Sequence, residues 1–305
     1  MRIKPGRPRL SDYAALVDDS TAAPAAPVTV TWAGVTTLLI SDGASAIMTD
    51  GFFSRPSLVS VGVRRLEPSV PRIDAGLGRL GVERLDAVVP VHTHFDHAMD
   101  SAVIAERTGA VLVGGASVAH LGHALPAAQV QVVRDTAPRG FGGFDLTLIE
   151  GHHCPPDRYP GQITRPVVPP VRASAYRCGE AWSMLVRHRA SERTALVVGS
   201  AGFVPGALTG RSAEVVYLGI GQLGLQSGAY IEQYWTETVR TVGARRVVLT
   251  HWDDFFRPLD RGLRALPYAG DDLDVSMAAL SRLAAEDGVS LYLPTPWRRT
   301  DPWRD

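Results

Sequence analysis

The sequence lacks the features that are typical of disulfide-rich, nucleic-acid-binding and membrane proteins. It has only two cysteines, Cys154 and Cys178, so a disulfide framework is excluded and one optional bridge is the most that could form. Its 31 basic and 31 acidic residues cancel, so no excess of positive charge indicates a nucleic-acid partner. No apolar run reaches the roughly 20 residues of a membrane-spanning helix, and no signal-peptide core follows the basic first residues. These absences predict a cytoplasmic protein whose partner is a small-molecule substrate.

The remaining composition predicts a layered α/β domain preceded by a tail. Residues 1–27 are rich in Ala, Pro and charge and are expected to form a flexible N-terminal tail, with a single domain over residues 28–305. Helices are predicted over 229–242 and 275–286, and a third helix is expected to begin after Asp100 or Ser101 and to end at Gly109. Strands are predicted over 28–32, 37–40, 46–49, 85–91, 110–113, 130–133, 144–149, 182–187, 195–198, 215–218, 246–250 and 290–293. Many strands with helices between and after them favour two packed sheets with helices outside.

A proline-rich stretch interrupts this pattern. Six prolines lie between Pro155 and Pro170, which makes a regular helix or strand improbable there. Long ordered loops in small domains are frequently functional. We therefore expect this loop to border the functional site.

The strongest chemical signal is the segment His92-Thr93-His94-Phe95-Asp96-His97, which directly follows an apolar strand. His92 and His94 are two residues apart and point the same way in extended backbone. Imidazole and carboxylate are ligands that zinc takes. The local backbone prevents all these side chains from serving one ion, and two ions roughly 3.5–4 Å apart explain the cluster better. The competing interpretation, a solvated loop with chance histidines, does not account for four such side chains in six residues.

The motif His-x-His-x-Asp-His after an apolar strand resembles the metallo-β-lactamase superfamily. Trp32-Ala33-Gly34 and Ile47-Met48-Thr49-Asp50 are similar to the first strands of its lactonase-like and phospholipase-D-like branches. The resemblance covers the chain from about Val28 onward. It implies an αββα sandwich of two mixed sheets flanked by helices, with a binuclear metal centre at one edge between the sheets.

The resemblance also implies a set of ligands. One metal would take His92, His94 and a histidine after a later strand, for which His153 is favoured and His152 is the alternative. The second metal would take Asp96, His97 and His251.

Four further positions follow from the same resemblance. Asp50 is expected to accept a hydrogen bond from a ligand histidine and fix its tautomer; Asp253 and Asp254 are weaker candidates for such a role. Many members carry an Asp that bridges both metals, but here Ser200 follows the corresponding strand. Ser200 could bind a water at the metals, or the second site could be weaker.

The implied activity is hydrolysis of an ester, lactone or phosphodiester by a metal-bound hydroxide, with Asp96 orienting the water. Zn²⁺ is favoured from the ligand types, as one or two ions, and Mn²⁺ or Fe are alternatives. Two rival functions stay open. One is a non-catalytic ligand-binding protein of the same fold. The other, weaker one is a nicotinamide-dependent oxidoreductase, suggested by Gly219-Ile220-Gly221-Gln222-Leu223-Gly224, which matches G-x-G-x-x-G.

Overall fold

The computed structural model describes residues 4–304, which contain fifteen strands. They are β1 Val17–Asp18, β2 Thr29–Trp32, β3 Leu38–Ser41, β4 Ala46–Thr49, β5 Ala87–Val89, β6 Val111–Gly114, β7 Val130–Val132, β8 Arg139–Phe141, β9 Phe144–Gly151, β10 Ala181–His188, β11 Thr194–Val198, β12 Val215–Gly219, β13 Arg246–Thr250, β14 Ser290–Pro294 and β15 Arg299–Thr300. The predicted strands all appear, with ends shifted by a few residues.

These strands form two mixed sheets. The first has the order β15-β2-β3-β4-β5-β6-β7, and the second has the order β1-β14-β13-β12-β11-β10-β9-β8. In the first sheet β4, β5 and β6 are parallel. In the second, β11, β12 and β13 are parallel, and β9 has the same direction because it is antiparallel to β10, which is antiparallel to β11. The carboxyl ends of all these strands therefore lie at one edge of their sheet.

Seven α-helices occur within residues 4–304, and several 3-10 turns accompany them. They are α1 Leu58–Val63, α2 Val70–Leu80, α3 Phe95–Ala98, α4 Ser101–Thr108, α5 Ala116–Leu121, α6 Gly228–Trp235, extended by a π-helical turn over Thr236–Arg240, and α7 Leu273–Asp287. None of them is long and apolar enough to cross a bilayer. The three predicted helices are confirmed as α4, as α6 with its extension and as α7.

The two faces of each strand separate the layers. In β5, Ala87 and Val89 belong to the large core between the sheets, whereas Val88 packs on the outer side against α2 and α4. This alternation is the period of two that extended backbone imposes. The observed architecture is the predicted αββα sandwich, so the predicted fold class is confirmed.

Part of the predicted tail is packed into the fold, in contrast to the prediction. Leu10–Leu16 form a 3-10 helix, and β1 pairs in parallel with β14. Asp18 is buried and bonds the guanidinium of Arg246 at 2.6 Å. The composition of residues 1–27 suggested a linker because it could not reveal this distant partner. Residues 1–3 of the predicted tail lie outside the described residues.

Candidate metal centre

The predicted site residues all follow the carboxyl end of a strand. Five strands from both sheets deliver them, so strand direction alone brings them to one edge of the sandwich. Asp50 follows β4, His92 to His97 follow β5, His153 follows β9, Ser200 follows β11 and His251 follows β13.

His92, His94 and His153 form the first group. Nε2 of His92 lies 3.1 Å from Nδ1 of His94, and the ring of His153 lies 4.9 and 4.7 Å from the rings of His92 and His94. One nitrogen from each of the three rings lies within 4.8 Å of the others. His152, the alternative ligand, is exposed and is not a member of this group.

Asp96, His97 and His251 form the second group. Nε2 of His97 lies 3.0 Å from Nε2 of His251. Oδ2 of Asp96 lies 3.7 and 3.6 Å from these two nitrogens. The rings of His92 and His97 are only 3.9 Å apart, so the two groups are neighbours.

The hydrogen bonds of the histidine rings indicate which ring nitrogens could bind a metal ion. Nδ1 of His97 lies 2.8 Å from the carboxylate of Asp50, and Nδ1 of His153 lies 2.6 Å from the carbonyl of Cys154. Each Nδ1 faces an acceptor and therefore carries the proton, which leaves Nε2 with a lone pair directed into the cluster. Buried lone pairs that face one another repel unless a proton or a cation lies between them. A divalent cation in each group satisfies all of them at once.

His92 and His251 also direct Nε2 toward the other histidines of their groups. Among the described residues, neither Nδ1 of His92 nor Nδ1 of His251 has a hydrogen-bond partner. Burial lowers the pKa of both, and for His92 the neighbouring histidines lower it further. Neutral imidazole is the form that ligates a metal. The residues present thus fit two metal ions chemically.

Asp50 lies where a tautomer-fixing acceptor was predicted. Besides the contact with His97, its carboxylate accepts the backbone N–H of Val91 at 2.9 Å. Asp50 is fully buried and has a positive φ of 53°, a backbone strain that usually needs support from its surroundings. Asp50 therefore holds His97 in one orientation.

Asp253 and Asp254 do not bond a ligand histidine, so that weaker prediction is wrong. Asp253 forms a buried ion pair with Arg55 and accepts the N–H of Val35 at 2.8 Å. The carbonyl of Val35 in turn accepts the N–H of His251 at 2.9 Å. Asp254 bonds Arg264. Asp253 thus supports the backbone of His251 rather than its ring.

Ser200 follows β11, after which the resemblance led us to expect a bridging Asp, and its hydroxyl accepts the N–H of Cys154 at 2.9 Å. It therefore fixes the backbone directly after His153. The proton of this hydroxyl is not used in that bond and can be donated. Binding of a water by Ser200 stays a prediction.

The glycines that match the nucleotide pattern have packing roles at this edge. A Cβ on Gly221 would lie 2.8 Å from Nδ1 of His251, and one on Gly219 would lie 2.8 Å from the carbonyl oxygen of Val198. Both positions need glycine because other groups approach the backbone closely.

Replacing Gly221 with alanine is expected to displace the ring of His251. Because the ring is buried, its displacement disturbs the packing around it. We therefore expect a loss of about 1–3 kcal/mol in the free energy of unfolding, together with weaker binding of one metal equivalent. Gly228→Ala is the matched control, since a Cβ there meets nothing within 4 Å. Urea unfolding and metal titration measure the two effects, and equal behaviour of both variants would contradict the packing role.

The metal-free protein is expected to lose stability as the pH falls from 7.5 to 5. Burial lowers the pKa of His92, His97 and His251, and lowers that of His153 to about 4. Below the usual value near 6.5 the unfolded chain therefore binds protons that the folded chain does not, and the free energy of unfolding falls as the pH falls. His153 alone contributes up to about 2 kcal/mol between pH 6.5 and 5. Urea unfolding at both pH values tests this, and unchanged stability would be the contrary result.

Sequence reasoning missed Asp157, whose Oδ1 lies 3.1 Å from Nε2 of His94. Only its position in the proline-rich loop gave any signal. As predicted, residues 155–170 contain no helix or strand, and they are held in place by bonds such as Val167 N–H to the carbonyl of His120 at 3.1 Å. The loop also borders a groove of about 580 Å³ next to the first group, lined among others by His153, Asp157 and Trp182.

Solved structures show the same fold at low sequence identity. Igni18, a metallo hydrolase from the archaeon Ignicoccus hospitalis, is 15% identical with a TM-score of 0.55, over 90% of this chain and 97% of that protein. YhfI from Bacillus subtilis, a metallo-β-lactamase fold protein, is 14% identical with a TM-score of 0.50, over 89% and 98% of the two chains. No protein-family model matches this chain, and no curated protein matches it in sequence.

A third structure bears on the metal. CmlA from Streptomyces venezuelae, a diiron β-hydroxylase, is 13% identical with a TM-score of 0.54; the match covers 90% of this chain but only 54% of CmlA. The fold therefore does not by itself fix the metal or the reaction. The sheet order, the flanking helices and these structural relatives together show that the chain has the metallo-β-lactamase fold.

Proposed function

We propose that the protein is a metal-dependent hydrolase with a binuclear centre, acting on an ester, lactone or phosphodiester of a small molecule. The observation that carries the proposal is the convergence of two complete ligand groups, His92, His94 and His153 beside Asp96, His97 and His251. These residues come from three strands of two sheets, and five of the six are buried. Burying so many titratable groups together is unfavourable without a bound cation.

The first group would hold one ion and the second group the other. When bound, the pair would supply an activated water near neutral pH and polarise the bond under attack. Zn²⁺ is favoured because every ligand is imidazole or carboxylate. Mn²⁺ and Fe are the alternatives, since the same ligand types serve them.

The chain's own residues would position the reactants. Asp96 offers one carboxylate oxygen to the second group and a second oxygen that can accept a proton from the attacking water. Asp50 keeps Nε2 of His97 free of a proton by binding the proton of Nδ1. The groove beside His153 would admit the substrate, and the carboxylates that line it make a strongly anionic polymer a poor candidate.

Metal analysis and a hydrolysis panel test this proposal. We expect two equivalents of a transition metal in the purified protein and hydrolysis of a lactone, an aryl ester or bis(p-nitrophenyl) phosphate that stops when a chelator removes the metal. Restoring Zn²⁺, Mn²⁺ or Fe²⁺ separately identifies the productive ion. Two bound equivalents with no hydrolysis of any compound would favour a ligand-binding protein, and absence of bound metal would contradict the proposal.

A further inference from the structure

The proline-rich loop reaches the first ligand group through the carboxylate of Asp157 and the carbonyl of Tyr159. Asp157 lies three residues after Cys154, and its Oδ1 is 3.1 Å from Nε2 of His94. The same nitrogen lies 3.3 Å from the carbonyl oxygen of Tyr159, in the same loop. Two oxygens of this loop thus face one ring nitrogen of a buried histidine.

This geometry decides which nitrogen of His94 carries the proton. A carbonyl oxygen only accepts hydrogen bonds, and an ionised carboxylate does the same. Nε2 of His94 must therefore donate, and in the neutral ring Nδ1 then has the lone pair. Nδ1 is the atom that lies 3.1 Å from Nε2 of His92, inside the ligand group. The opposite tautomer would place a lone pair against two oxygens and a proton where the group needs a donor atom.

The carboxylate of Asp157 is itself held in place. It accepts the backbone N–H of Tyr159 at 2.9 Å, and the carbonyl of Tyr159 accepts the N–H of Cys178 at 2.9 Å. The thiol of Cys178 lies close to the same carboxylate. The side chain of Asp157 is 22% exposed, so solvent supports the ionised form that the tautomer requires.

We propose that Asp157 is the positioning residue of the first ligand group, fixing the tautomer and the ring orientation of His94 and thereby tying the Pro155–Pro170 loop to metal binding. The inference rests on the proposed function, because it assigns His94 to a metal. Each ligand group then has one carboxylate that orients a histidine. In the second group Asp50 orients His97 through Nδ1. Here the orienting acceptor comes from a loop instead of a strand end.

An alternative interpretation is a third metal site. It would be formed by His94, Asp157 and Cys178, whose donor atoms lie within 4.8 Å of one another. The hydrogen bonds argue otherwise, because a proton on Nε2 of His94 leaves no lone pair for an ion there.

Two variants of the full-length protein test the proposal. Asp157→Ala removes the acceptor, whereas Asp157→Asn keeps an oxygen that can accept from Nε2 without the charge. We expect Asp157→Ala to weaken the binding of one metal equivalent 10- to 100-fold, the usual effect of removing such a partner, and Asp157→Asn to recover part of that loss. Arg158→Ala, an exposed change in the same loop, is the control and should bind metal like the wild type. Competition with a chromophoric chelator gives these affinities.

Nitrogen NMR of histidine in the metal-free protein gives a second readout that does not need metal. We expect His94 to carry its proton on Nε2 in the wild type and to populate both tautomers in Asp157→Ala. Unchanged affinity and an unchanged tautomer in Asp157→Ala would overturn the proposal, and so would three metal equivalents that fall to two in that variant. If the wild type binds no metal, the proposed function fails, but the NMR result still decides the role of Asp157.

Discussion

Replacing His153 with alanine is expected to abolish tight binding at the first ligand group and to reduce kcat/KM for hydrolysis on the order of 10³-fold. Two histidines would remain in that group, and a site with two protein ligands binds a catalytic zinc far more weakly than one with three. Without the ion, the water loses the lowering of its pKa from about 15.7 to about 7. Metal analysis after gel filtration and steady-state kinetics measure the two effects.

His152→Ala is the matched control for this experiment. The two histidines are adjacent and chemically identical, but only His153 lies next to His92 and His94, while His152 is exposed. We expect His152→Ala to retain both metal equivalents. Because His152 also lines the groove, metal content rather than kinetics is the quantity compared between the two variants. The reverse result, metal loss in His152→Ala alone, would show that the loop is arranged differently around the metal and would contradict the assignment of His153.

The double variant Asp96→Ala/His97→Ala is expected to retain one metal equivalent and to lose hydrolysis by a similar factor. It removes two of the three ligands of the second group, while every member of the first group stays in place. The result also shows whether the second site is filled without a bridging Asp. Native mass spectrometry gives the number of bound metal ions, and steady-state kinetics gives the loss of hydrolysis. Together they show whether the second group binds a metal ion that hydrolysis needs.

Two outcomes of that experiment would contradict the binuclear proposal. If the wild type holds one equivalent and the double variant also holds one, the second group does not bind metal under those conditions. If the double variant holds two equivalents and hydrolyses substrate normally, the ligand assignment is wrong. The folded state of the variant is checked by near-UV circular dichroism, since losing buried charge at this edge is expected to leave the two sheets intact.

The fold could be predicted largely from the sequence because its strands are short, apolar and separated by turn residues. The Asp42-Gly43 turn between β3 and β4 is an example, with Gly43 at a φ of 89°. The helices α1 and α2 were not predicted. Helix α1 has no buried residue, and α2 contains Gly76, whose position against the ring of Phe53 leaves no room for a Cβ. Such helices depend on tertiary packing rather than on local preference.

The sequence by itself determined the chemistry of the site. Three histidines and an aspartate in six residues after a buried strand point to metal, because strand geometry and ligand chemistry are both local properties. Only the tertiary structure decided which later residues lie beside them. The choice of His153 over His152 depends on where β9 ends and how the loop turns, and the contact between Asp157 and His94 joins positions 63 residues apart. Both result from the packing of one sheet on the other, which no short stretch of sequence specifies.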